Sequence, residues 1–179
     1  VWNAIGIQFL DTGPNTGTVG VDNVRVSSNE RLLFSEDFEA GEWSKGWDDK
    51  VEGSFIDNGW ALKSAFSGGS ITARKKDESW QDFSLETDVA GRRESVSGSS
   101  PSAGLAAGIQ IGRVSTNSTL FMLRLNYHNQ EARLEFLQRG PPRNFEKPLQ
   151  VLDGVVYGLG LEVVEGHFRA WVKSPVFWT

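Results

Sequence analysis

The chain has 179 residues, 18 basic against 23 acidic side chains and a formal charge of −5. That balance excludes the basic face on which nucleic-acid binding depends, and the absence of cysteine excludes disulfides and thiolate metal sites. No apolar run reaches the ~18 residues of a membrane-crossing helix, and any secretory leader is expected to lie outside these residues.

Helical periodicity is nearly absent. Short alternating or apolar runs bounded by Gly, Asn, Asp and Ser dominate instead, and they predict strands. In chain order these are 4–10, 18–26, 32–38, 60–64, 70–74, 83–89, 103–113, 120–127, 133–138, 156–165 and 168–172. Within 120–127, Phe121, Leu123, Leu125 and Tyr127 share one face, and Leu134 and Phe136 do so in the next run. The link between them, 128–132, suits a hairpin. Leu159, Leu161 and Val163 alternate with Gly160, Glu162 and Val164, and Gly166-His167 turns into the last run. Residues 92–102 read as a polar, low-complexity loop. The proline-containing stretch 140–148 cannot form a central strand, because proline lacks the ladder donor. Many short strands at this spacing predict an all-β antiparallel sandwich.

The segment 28–32 is short and polar and reads as a linker. Before it, 1–27 is expected either to close a preceding module or to complete the same sandwich. After it, 33–179 forms the main module. Val21-Asp22-Asn23-Val24-Arg25-Val26 resembles the last strand of carbohydrate-binding jelly rolls. Ser35-Glu36-Asp37-Phe38-Glu39, with Gly46-Trp47, resembles their first strand. Trp80-Gln81-Asp82-Phe83, Ala103 to Gln110 and His167 to Val172 then follow in the order of laminin-G-like or concanavalin-like modules. That resemblance covers about residues 33–172 and implies a jelly-roll sandwich of an extracellular or cell-surface protein. It also implies a structural calcium joining opening and closing strands, with Asp22 and Glu39 as ligands and Asp37 as helper. Calcium takes several oxygens from carboxylates and carbonyls. Modules of this class continue after His167–Val172 through further strands, so unpaired strands are expected to drive self-association.

Sugar binding needs an aromatic platform beside hydrogen-bonding groups. Trp43, Trp47 and Trp80 lie in polar contexts, and Tyr127 lies beside Asn129, so these five residues are the candidate ligand contacts. Trp47, Trp60 and Trp171 also suit core anchors near strand ends. Glycoside hydrolysis needs two carboxyl groups flanking one bond. Glu86 and Asp88 share a face, but no third acid extends the pattern, and His128 and His167 enter no triad. No catalytic residue is therefore assigned. Asn117-Ser118-Thr119 is a glycosylation sequon. The expected function is a non-catalytic module of a secreted protein that binds a polysaccharide or glycan. The alternatives are a subunit of an extracellular filament assembled by strand exchange and a glycoside hydrolase-like enzyme.

Overall fold

The computed structural model describes residues 2–11, 16–48, 55–64, 69–77, 80–95, 105–112, 120–137 and 143–176. The sequon at 117–119, residues 96–102 of the polar stretch and 140–142 of the proline stretch lie outside the described residues. What is described is all-β, with strands β1 (Ala4–Asp11), β2 (Thr16–Ser28), β3 (Arg31–Glu36), β4 (Trp47–Asp48), β5 (Phe55–Asp57), β6 (Trp60–Ser64) and β7 (Gly69–Lys76). They continue as β8 (Phe83–Ser95), β9 (Leu105–Gly112), β10 (Leu120–Asn126), β11 (Glu131–Leu137), β12 (Arg143–Pro148), β13 (Val156–Val164) and β14 (His167–Val176). Among the described residues no helix is long and apolar enough to cross a membrane.

The strands form two antiparallel sheets. The first runs β12-β11-β10-β9-β1-β7-β4 and the second β14-β13-β8-β2-β6-β5, with β3 also paired to β2. Alternation decides which side chains enter the space between them, because successive residues of a strand point to opposite faces. From the first sheet come Ile5, Ile7, Phe9, Ile109, Ile111, Leu123 and Leu125; from the second come Val19, Val21, Val26, Leu85, Val89, Leu159 and Leu161, all buried. Burying each such side chain contributes about 1.5–3 kcal/mol. The pattern is the antiparallel sandwich that the alternation predicts.

The N-terminal strands are central. In β1, Ile7 faces Ile109 of β9 on one side and Ala73 of β7 on the other. In β2, Val21 lies between Val89 of β8 and Ala61 of β6. The segment 28–32 is not a linker but a hairpin end: Ser28 pairs with Arg31, and Asn29 and Glu30 hold φ of 48° and 65°. Two consecutive left-handed residues close a two-residue turn whose twist matches the flanking strands. The polar stretch beginning at 92 is also partly strand, because β8 runs on to Ser95 beside β2. Among the described residues β12 pairs only with β11, and all six of its residues are exposed. A proline-bearing segment is confined to such an edge.

Candidate functional site

The outward face of the second sheet holds the arrangement best suited to a ligand. Phe168, Ala170 and Val172 of β14 alternate with Arg169, Trp171 and Lys173, which stand opposite Glu162, Gly160 and Gly158 of β13. Across β8, Gly160 meets Glu86 and Glu162 meets Ser84, and Glu86 in turn faces Arg25 of β2. Glycine at 160 lets the indole lie down on the sheet. A Cβ there would stand 2.1 Å from Trp171 Cε2, 2.3 Å from Cζ2 and 2.5 Å from Nε1. Trp171 remains partly exposed. Lys173 lies likewise over Gly158, and its Nζ donates to Glu86 Oε2 at 2.9 Å. On the other side of the ring, Arg169 Nη1 sits 3.5 Å from Glu162 Oε2. The result is a flat aromatic surface flanked by two ion pairs.

The aromatic residues expected as ligand contacts are placed elsewhere. Trp47 is 8% exposed, Trp80 3% and Tyr127 0%, so none of the three can receive a ligand. Trp47 and Trp80 flank Phe34 at 6.2 and 6.1 Å between ring centroids, and Trp43, partly buried, stacks edge-on against Trp47 at 5.2 Å. Lys75 Nζ lies 4.4 Å from the Phe34 ring centroid, a cation–π contact that caps this cluster. The Trp47 indole N–H donates to buried Glu36 at 3.3 Å, which also accepts from the Ser44 N–H at 3.0 Å. Tyr127 packs on Gly91, and burial raises its phenol pKa, with Tyr157 and Asp153 adding to the effect. Asn129 is exposed at the tip of the β10–β11 hairpin, where its backbone N–H donates to Asn126 Oδ1 at 3.0 Å. It stands apart from every platform.

The acids expected to hold calcium share a neighbourhood. At the bulge in β2, Asp22 Oδ1 accepts from the Asn23 N–H at 2.6 Å, and Asn23 Nδ2 donates to Asp22 at 3.1 Å and to Asp88 at 2.9 Å. Asp37 Oδ1 accepts from the Glu39 N–H at 3.2 Å. Among the described residues no three carboxylate or imidazole groups converge as they would around a metal. The crowding instead raises the Asp22 pKa to about 6, first through burial and then through the charges of Asp88, Glu39 and Asp37, against the Asn23 N–H bond that lowers it. A carboxyl whose pKa rises on folding supports the fold below about pH 4 and loses that support as the pH climbs through 6. Because Asp22 is only half-buried, screening by water reduces the effect to about 1 kcal/mol. Asp22→Asn is therefore expected to be more stable than the wild type by that amount at pH 7.5 and equal to it at pH 4, read from urea denaturation at both.

Comparison with known proteins brings no match. No family model, no curated protein and no solved structure corresponds to the chain. The platform therefore rests on its own geometry. The signal that reveals Trp171 is present in the sequence: Arg169 and Lys173 stand two residues to either side and share its face, whereas Phe168, Ala170 and Val172 form the other.

Proposed function

We propose that this chain is a non-catalytic glycan-binding module of a secreted or cell-surface protein, with Trp171 as its platform. The observation that carries the reading is the Trp171 ring laid over Gly160 between the Lys173–Glu86 and Arg169–Glu162 pairs. A pyranose offers an apolar C–H face to such a ring and hydroxyls to the charged groups around it. The flatness of the face suits an extended polysaccharide rather than a single enclosed sugar.

A hydrolase is less well supported. Glu86 and Glu162 each pair with a cation and Asp88 accepts from Asn23, so beside Trp171 no two carboxyl groups stand free to flank one glycosidic bond. For calcium at Asp22, Asp37 and Glu39 the single support is the unneutralised charge around Asp22. That proposal requires a Tm raised by millimolar calcium in the wild type and not in Asp22→Asn.

Affinity electrophoresis against a panel of soluble plant, algal and bacterial polysaccharides tests the glycan reading. Retardation by at least one polymer is expected. Trp171→Ala should abolish it while the variant still melts cooperatively as a folded protein, and Trp43→Ala should leave it intact. Retardation by none, or retardation indifferent to Trp171, would remove the reading.

A further inference from the structure

The two sheets part at the edges formed by β12 and β14, leaving a crevice of about 520 Å³ open to solvent. Its apolar walls are the inward residues Leu123, Leu134, Leu149, Tyr157, Ala170 and Val172, which elsewhere in the sandwich would meet a facing side chain, and Trp171 and Lys173 of β14 border its rim. That volume falls within the range of small-molecule sites. At the mouth stands Phe145, 61% exposed, the most exposed large hydrophobic residue described.

One charged group is rooted on the crevice side. The register sets Phe145 opposite Leu134 and Lys147 opposite Ala132, so Lys147 belongs to the row that lines the opening. The neighbouring charges are engaged: Glu146 lies 3.3 Å from Arg133, and Lys173 donates to Glu86. Lys147 has no ion-pair partner among the described residues. An apolar cleft with one unpaired ammonium at its mouth matches a ligand with an aliphatic tail and an anionic head. A strand from another chain is disfavoured, because β12 carries Arg143, Glu146, Lys147 and Pro148, the charged and proline residues by which sheet edges resist pairing.

We infer that the crevice between β12 and β14 binds a single-chain aliphatic carboxylate, its tail among Leu123, Leu134, Ala170 and Val172 and its head on Lys147. The crevice adjoins the Trp171 platform, since Trp171 and Lys173 also border it, but its apolar wall is the inward face of the sheets, so the inference does not rest on glycan binding.

Isothermal titration of the full chain with octanoate, decanoate and dodecanoate, each below its micelle concentration, tests this. Saturable one-to-one binding is expected, tightening about fourfold for each added methylene. Lys147→Glu, a change at an exposed position, should weaken decanoate by about tenfold or more while leaving decanol unaffected. Ala170→Phe should fill the crevice and remove both ligands, with its melting curve reporting whether the sandwich persists. Absence of saturable binding by the wild type, affinity independent of chain length, or equal loss of decanoate and decanol in Lys147→Glu would each overturn the inference. So would an extended peptide that binds in place of decanoate and protects the β12 amides from exchange.

Discussion

Replacing Glu135 with alanine is expected to destabilise the fold by about 3–5 kcal/mol. Glu135 stands on the outward side of the first sheet, yet its side chain is only 11% exposed, as is that of Arg124 beside it. The Arg124 guanidinium meets Glu135 Oε1 at 2.5 Å, and Arg133 Nε lies 2.7 Å from the same oxygen. Arg124 can lie so close to the sheet because Gly108 beneath it has no side chain. Burial lowers the Arg124 pKa, and the Glu135 charge pushes it back up. Removing Glu135 leaves a buried guanidinium without its counter-charge, beside a second arginine that repels it. Most of the loss should be recovered in the double variant Arg124→Met/Glu135→Leu, because the pair itself contributes little beyond a well-packed apolar equivalent. Urea denaturation of the wild type and the two variants measures the difference. A loss below about 1 kcal/mol in Glu135→Ala would mean that water reaches Arg124 freely.

Alternation made the sandwich legible. Phe121, Leu123, Leu125, Leu134 and Phe136 are inward or packed against the core as the period of two predicts. Polar context misled at Trp47 and Trp80. The residues two positions away, Lys45 and Asp49 or Glu78 and Asp82, are as charged as Arg169 and Lys173 around Trp171, so charge alone does not separate the three rings. Alternation assigns a face only within a sustained strand. Trp171 lies inside the ten-residue β14, whereas Trp47 opens the two-residue β4 and Trp80 lies outside the strands. Pairing beyond the hairpins was not legible, because β1 joins β7 and β9, and β2 joins β8, over separations that no local pattern records. The reading of 28–32 as a linker failed on turn chemistry. Asn29 tolerates the left-handed region, but Glu30 beside it is an uncommon occupant, so the two-residue turn carried no glycine to announce it.

The same substitution at two glycines should separate fold from function. Gly108 lies in β9 between β1 and β10, and a Cβ there would stand 2.2 Å from the Leu123 carbonyl oxygen and 2.8 Å from Arg124 Cα. Both are backbone atoms of a central strand, fixed by pairing on either side, so the sheet itself must part. Gly108→Ala is expected to cost about 3 kcal/mol, at the upper end for an added methyl in a packed site. At Gly160 the three atoms nearest an added Cβ all belong to the Trp171 ring, which sits on edge strand β14 and can lift toward solvent. Gly160→Ala should therefore cost about 1 kcal/mol, the low end of the same range, and yet remove polysaccharide retardation as completely as Trp171→Ala. Urea melts and affinity electrophoresis on the two variants read both effects. Binding retained in Gly160→Ala would show that the flat setting of the indole is not what a glycan uses, and would move the proposed site off this face.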